Sequence, residues 1–320
     1  MRRVRRCGGY AASLPPPNTG MYPSHISPRF AKIRCCVTPK AHARLCWLAA
    51  LPGDRLARAA VLHMAQNVSL ADDLKTAAVL AGAAGLLGAL SVPFLLPLSF
   101  QFVPPEQRTL PLPLPLFCGL LVTQFLVVYG LIALAGLRLA RRRNLEPAPL
   151  LSGIWTRKRV ENFGPPTVMA FGTGLLCGMA LVGAMGLIKG FLPQTLPSVL
   201  HPPSVWGSLL GSAAASFGEE ILCRLFLLSG LICLLPVCKK GTALAIGVSA
   251  LAFAALHSPA AVFLFGGLHN VPLLSWVWML VLNALFGIAC AVWYLRAGIG
   301  AAILVHFGTD LVWHVVSQLV

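Results

Sequence analysis

Long apolar stretches recur through most of this chain, and they constrain its fold more than any other feature. From residue 76 to residue 320 the sequence repeatedly runs for about 20 residues with few charges, the length that a helix needs to cross a bilayer. Only 11% of the 320 residues are charged, against about 25% in soluble domains. The sequence therefore predicts an all-α, polytopic transmembrane helical bundle of about seven to eight spans.

Seven spans account for these stretches, and we place them at 76–98, 112–137, 166–188, 205–235, 242–257, 271–295 and 298–320. The fourth is longer than a single crossing needs, so a break in it, or an eighth span, stays open. The apolar piece at 258–270 is interrupted by Pro and Gly and is interpreted as re-entrant.

Basic residues concentrate in alternate loops. The loops 138–160 and 236–241 and the turn at Arg296 carry Lys or Arg, whereas the other loops carry only Arg108 and Lys189. Basic loops remain in the cytoplasm, so we expect the N-terminus inside and the C-terminus outside. We interpret the net charge of +16 as that of a membrane protein with basic loops rather than as a sign of a nucleic acid partner. We expect an integral, multi-pass protein of a bacterial inner membrane, with membrane lipid as a partner.

Residues 1–63 differ from the rest because they are rich in Arg and Pro and have no acidic residue before Asp54. We expect a basic, disordered extension there, either a targeting segment or the product of a mis-called start, with Met64 as the natural start. We expect transmembrane helices over 64–200 and the functional core over 201–320.

Charged residues inside the predicted spans are the main functional signal. Glu219, Glu220 and Arg224 lie in the fourth span, and Asp310 lies in the last. A charge at the bilayer centre costs about 2.5–3.5 kcal/mol on insertion scales, so these groups must face the bundle interior or a wet cavity. Such residues are functional candidates, although a purely structural Glu220–Arg224 pair between helices stays open.

Helical spacing divides the roles of these charges. Glu220 and Arg224 are one turn apart and can pair along one face, which leaves Glu219 freer to exchange a proton. The histidines follow the same periodicity, since His257 ends the fifth span one turn after Phe253.

A stripe of polar residues runs along the last span. His306, Asp310 and His314 follow one another at intervals of one turn. Two other polar residues, Ser212 and Asn283, are expected to form interhelical hydrogen bonds.

Carboxylates and histidines in a buried cavity are suited to hydrolysis. A glutamate with a histidine can hold and deprotonate a water, and a second histidine can stabilise an oxyanion. The same groups could instead bind Zn²⁺, with Glu219, His257 and His306 as ligands, although no HExxH sequence is present.

Three motifs in this order resemble the CPBP family of intramembrane CAAX-processing and bacteriocin-processing proteases, which are related to type II CAAX prenyl endopeptidases. They are "EEILCR" (219–224), "FAALH" (253–257) and "HFGTD" (306–310), which match the family's EExxxR, FxxxH and HxxxN/D. The resemblance covers residues 205–315.

The resemblance implies an intramembrane endopeptidase acting on a peptide or membrane-protein substrate. Glu219 would be the general base, assisted by His257, and His306 and Asp310 would form the oxyanion side. The catalytic group would also include Glu220, which holds the architecture with the supporting residues Arg224 and Phe253.

Two alternatives follow from the same comparison. The resemblance implies either a zinc-dependent or a metal-free glutamate mechanism. Asp310 stands where prenyl-processing members often have Asn, so it either donates a hydrogen bond when protonated or orients His306. A different class of protein, a catalytically inactive immunity factor, scaffold or transporter-like protein, would use the same polar cluster structurally.

Overall fold

The computed structural model describes residues 68–101, 106, 108–157, 164–188 and 204–316. Within these ranges the chain is helical and contains no strand, which confirms the all-α fold. The predicted extension at 1–63 lies outside the described residues, and the division at residue 200 stays a prediction.

The helices follow one another with short connections where the chain is described. In chain order they are α1 (Leu70–Gln101), α2 (Leu114–Gln124), α3 (Gly130–Arg142), α4 (Pro149–Thr156), α5 (Gly164–Ile188), α6 (Val205–Glu220), α7 (Ser229–Leu234), α8 (Lys239–Leu256), α9 (Ser258–Leu264), α10 (Leu273–Ala297) and α11 (Ile299–Asp310).

Three π-helical segments continue these helices. They are π1 (Phe125–Tyr129) between α2 and α3, π2 (Ile221–Leu228) between α6 and α7, and π3 (Leu311–Val316) after α11. The backbone stays helical at both ends of π1 and π2, so α2–π1–α3 and α6–π2–α7 are continuous rods. π-Helical turns are rare and occur frequently at functional sites.

Six helical stretches are long and apolar enough to cross a membrane, and the chain is an integral membrane protein. They are Leu70–Pro97, Leu114–Arg142, Gly164–Leu187, Lys239–Val262, Leu273–Ala297 and Ile299–Val316.

Composition thus supports six spans in the described part of the chain, where the sequence predicts seven to eight. The difference is the rod α6–π2–α7, which carries three charged side chains. This rod covers residues 205–234 and is ~45 Å long at 1.5 Å per residue, so it is not broken and has the length of a span.

Gly298 makes the turn between α10 and α11. Its φ of 82° lies in the left-handed region that favours glycine, and a Cβ there would collide with Pro149 and with the Pro147 carbonyl. The Ile299 N–H donates to the Pro147 carbonyl oxygen at 2.7 Å. Because the turn is so short, α10 and α11 run antiparallel.

Two glycines let α5 approach α11 closely. A Cβ on Gly174 would collide with the Val305 carbonyl, and a Cβ on Gly178 would lie 2.7 Å from the Thr309 carbonyl oxygen. The Thr309 hydroxyl donates to the Gly174 carbonyl at 3.1 Å. Small residues four positions apart commonly bring membrane helices together. This contact fixes the position of α11, which carries the polar stripe.

A buried ionic cluster ties α1 to α3 and α4. Asp73, which is fully buried, accepts from Arg141 Nε at 2.8 Å and from Arg138 Nη1 at 3.3 Å. Arg141 Nη1 also donates to Glu146, which in turn accepts from the Ser152 hydroxyl. Arg141 is therefore an internal structural cation rather than a solvated loop charge.

Replacing Gly174 with Ala should destabilise the bundle, because the new Cβ displaces α11. Overpacking of this kind costs about 1–3 kcal/mol, which should lower the Tm in detergent. Gly172→Ala is the matched control on the same helix, since no heavy atom lies within 4 Å of its Cβ position. Equal Tm values for the two variants would contradict the close α5–α11 contact.

Candidate active site

The charged residues of the α6–π2–α7 rod lie where the α-helix changes into the π-helix. α6 ends at Glu220, π2 begins at Ile221, and Arg224 lies within π2. The Arg224 and Glu220 side chains are both fully buried, and Arg224 Nε lies 3.2 Å from Glu220 Oε2. The orientation of this contact does not meet hydrogen-bond geometry, so we describe it as an ion pair.

Glu220 uses its other carboxylate oxygen to hold a histidine on a different helix. Glu220 Oε1 lies 2.9 Å from His306 Nδ1. Since an ionised carboxylate only accepts, Nδ1 is the donor in this bond. One carboxylate therefore connects Arg224 with His306 and joins π2 to α11.

Arg224 makes two further contacts that compensate its buried charge. Its guanidinium lies 4.5 Å from the centre of the Phe253 ring, in a cation–π arrangement. Its Nη2 donates to the Gly287 carbonyl on α10 at 3.3 Å.

Besides Glu220, two aromatic rings and the carboxylate of Asp310 surround His306. The rings of Phe286 and Phe253 meet its imidazole edge-on, with centroids 5.1 and 5.6 Å away. His306 Nε2 lies 3.6 Å from Asp310 Oδ2, beyond hydrogen-bond distance. Nε2 is thus the nitrogen of His306 without a close partner among the described residues.

His257 follows the last residue of α8 and is oriented by its own helix. Its Nδ1 lies 3.0 Å from the Phe253 carbonyl oxygen, and its ring lies 5.0 Å from that of Phe253. A carbonyl only accepts, so Nδ1 carries the proton, and in the neutral imidazole Nε2 is left as an acceptor and base.

The Glu219 carboxylate takes no part in the contacts described above. Its Oε2 is shielded from solvent and has no hydrogen-bond partner within the described part of the chain. The ionisable groups that interact electrostatically with Glu219 are His306 and Asp310 of α11, Glu220 of α6, and His257, which follows α8. The structure thus gathers around Glu219 the groups that the three motifs contribute.

The donors in this site do not form a metal-binding arrangement. No three His, Cys, Asp or Glu side chains in the described ranges are placed to hold a metal ion together. His306 Nδ1 donates to Glu220 and His257 Nδ1 donates to the Phe253 carbonyl, which leaves Nε2 of each histidine as a potential ligand atom. The three residues predicted as zinc ligands are not grouped around one metal position in the described ranges, and their role as zinc ligands stays a prediction.

Two polar residues differ from their predicted roles. Asn283 donates to the Met279 carbonyl of its own helix at 2.8 Å rather than to another helix. The Ser212 hydroxyl has no hydrogen-bond partner among the described residues, while its carbonyl accepts from the Ser216 hydroxyl. Both predictions of interhelical hydrogen bonds were therefore wrong.

Three groups at the site could not be identified as functional candidates from the sequence. Phe286 and the Gly287 carbonyl belong to an ordinary apolar helix. Tyr129 of π1 stacks on Phe125, and a Cβ on Gly218 would lie 3.8 Å from its hydroxyl. A lone aromatic residue in a span cannot be distinguished from a lipid-facing one without the fold.

Comparison with known families supports the resemblance. Residues 201–312 match the family model described as "Type II CAAX prenyl endopeptidase Rce1-like". The matched segment contains all three motifs and extends from the start of the α6–π2–α7 rod into π3. No curated protein and no solved structure matches the chain.

Phe253→Leu should destabilise the protein because one ring contacts Arg224, His257, His306 and Phe286. Losing a buried cation–π contact and the edge contacts should cost about 2 kcal/mol or more, seen as a lower Tm in detergent. Phe171→Leu is the control, since Phe171 stacks on Phe307 alone at 6.5 Å. A smaller Tm loss for Phe253→Leu than for Phe171→Leu would contradict the central role of this ring.

Proposed function

We propose that this protein is an intramembrane endopeptidase that hydrolyses peptide bonds of membrane-associated substrates. The observation that carries the proposal is the half-buried Glu219 carboxylate near His257 and His306. Its Oε2 atom is shielded from solvent and has no hydrogen-bond partner among the described residues. A structural carboxylate would be paired, as Glu220 is. An unpaired carboxylate beside two histidines is instead suited to proton transfer.

Glu219 acts as the general base in this proposal. It takes one proton from a water whose oxygen attacks the carbonyl carbon of the scissile peptide, so that a C–O bond forms as the carbonyl becomes an oxyanion. His257 Nε2, the free acceptor of its ring, accepts a hydrogen bond from the other O–H of that water and orients it. Glu219 then returns its proton to the amide nitrogen as the C–N bond breaks.

His306 stabilises the oxyanion. Its Nδ1 is held by Glu220, and its Nε2 has no acceptor within hydrogen-bond distance in the described chain. As an imidazolium, protonated on both nitrogens, His306 can donate from Nε2 to the developing negative charge while Nδ1 donates to Glu220. Asp310, 3.6 Å away, acts as the counter-charge that orients the ring, a role that an ionised Asp fulfils without donating a hydrogen bond.

Glu220 and Arg224 position these groups without touching the substrate. Truncating a buried ion pair leaves an uncompensated charge, so we expect structural damage rather than a selective loss of rate from changes at either residue. This division separates the two adjacent glutamates by function.

The family description supports a prenylated peptide of the CAAX type as the substrate, with a peptide precursor as the alternative if the membrane is bacterial. The spanning helices expose apolar side chains such as Leu131, Leu176 and Leu251, which suits a site reached from a lipid environment. A farnesylated peptide with a C-terminal CAAX sequence is therefore the probe that we propose for activity.

Glu219→Gln should abolish cleavage of the farnesylated CAAX peptide while the protein still inserts and folds. Loss of a general base lowers the rate by about 10²–10⁴-fold. The measurement is kcat in detergent or nanodiscs, with the Tm as a check on folding. Glu106→Gln, which alters an exposed carboxylate, is the control and should retain full activity. Full activity of Glu219→Gln would eliminate the catalytic assignment.

Removal of metal should leave the activity unchanged, because the proposed ligands do not converge on a metal position. The measurement combines metal analysis of an active preparation with cleavage assays after dialysis against a strong chelator. A stoichiometric zinc, lost together with the activity and restored with it, would show that a metal-dependent mechanism operates instead.

A further inference from the structure

Four polar atoms away from the motif residues are buried without a hydrogen-bond partner in the described part of the chain. They are Ser212 Oγ on α6, Ser275 Oγ and Trp278 Nε1 on α10, and His314 Nδ1 on π3. The Ser212 and Ser275 residues are 3% and 6% exposed. We call these four residues the distal polar cluster.

Ser212 of α6 and His314 of π3 lie at the same depth in the helical bundle. π3, the end of the last helix, packs against α6, the start of the rod, whereas α11, which precedes π3, also contacts π2 further along the rod. The α11–π3 helix therefore runs antiparallel to the α6–π2–α7 rod. Glu220 contacts His306, and Ser212 and His314 each lie eight residues away from that contact. At 1.5 Å per residue, both lie ~12 Å from the Glu220–His306 pair, in the same direction.

The third helix reaches the same depth. α10 is antiparallel to α11 and contacts it twice, through Phe286 with His306 and through Trp278 with Trp313. The second contact brings Trp278 beside the residue that precedes His314, and Ser275 lies about one turn further along α10. All four members of the distal polar cluster therefore lie at one end of the site.

Leaving such groups unsatisfied is costly, at about 1–3 kcal/mol for each atom. Buried polar side chains with a purely structural role are usually paired, as Ser229 and Tyr294 are at 2.7 Å. The backbone at His314 is also π-helical, a feature that occurs frequently at functional sites. Both features point to a ligand rather than to a role in packing.

The hydrogen-bonding groups of the distal polar cluster indicate which kind of ligand it binds. Trp278 Nε1 only donates, whereas the serine hydroxyls and the imidazole can donate or accept. The cluster contains no cation, so it does not suit a phosphate or a lipid headgroup. A polypeptide backbone offers both donors and acceptors, and an extended chain spans ~12 Å in about four residues.

We propose that the distal polar cluster binds the extended backbone of the substrate about four residues away from the cleaved bond. The inference rests on the proposed endopeptidase function. The side chains of Trp278 and His314 are half-buried, and rotation of the Trp278 ring away from Trp313 would give a peptide access to the cluster.

The test measures binding separately from cleavage. Trp278→Phe, Ser212→Ala and His314→Leu are placed in the Glu219→Gln background, and the Kd of a fluorescent farnesylated CAAX peptide is measured by anisotropy. Each variant should bind about tenfold more weakly, because a hydrogen bond to the peptide is lost while most of the packing remains. With Glu219 intact, KM should rise while kcat changes little.

The matched controls alter side chains that already have partners. Trp293→Phe removes an indole N–H that donates to Thr173, and Ser91→Ala removes a hydroxyl that donates to the Gly88 carbonyl. Both should leave the Kd within about twofold of the parent.

The outcomes separate the two proposals. If the three cluster variants also bind within twofold of the parent, the inference is overturned while the endopeptidase function stands. If Glu219→Gln still cleaves the peptide, the proposed mechanism fails, and the inference is then decided by the KM values of the cluster variants, which should rise relative to the parent. If the parent does not bind the peptide, the CAAX-type substrate is excluded, and the inference drawn for that substrate is overturned with it.

Discussion

The carboxylate of Glu220 is the interaction on which the rest of the site depends. One oxygen lies 3.2 Å from the Arg224 guanidinium and the other 2.9 Å from His306, and all three side chains are buried. Because a charge in a membrane must be compensated inside the protein, Arg224 could not be buried without this carboxylate. The same contact joins the π2 segment to α11 and so sets the distance between two motifs.

Packing around that contact gives Glu219 a different environment from that of Glu220. The close approach at Gly174 fixes α11, and Phe253 lies between Arg224 and the two histidines. Glu220 has ion-pair contacts with Arg224 and His306, whereas the Oε2 atom of Glu219 has no hydrogen-bond partner among the described residues. The scaffold thus distinguishes a charge-paired carboxylate from a shielded carboxylate oxygen that is free to act as a base.

Spacing in the sequence predicted the helical fold and the pairing of Glu220 with Arg224, because both depend on residues within one helix. The spacing of residues along the sequence could not predict contacts between helices. Ser212 and Asn283 were expected to bond across helices, and they do not, since a polar residue in a span can also bond to its own backbone. The π segments and the contribution of Phe286 left no pattern in the sequence. The number of spans was uncertain because the fourth predicted span, at 205–235, is longer than one crossing needs, and its length alone did not show whether the helix is broken.

The central claim is that the two adjacent glutamates differ, one holding the structure and the other free to react. The most direct measurement compares the free energy of unfolding of Glu220→Gln and Glu219→Gln in the same detergent. Breaking the buried pair should cost about 3–5 kcal/mol for Glu220→Gln, whereas Glu219→Gln should leave the stability unchanged or raise it. Equal losses for the two variants, or a larger loss for Glu219→Gln, would contradict the account.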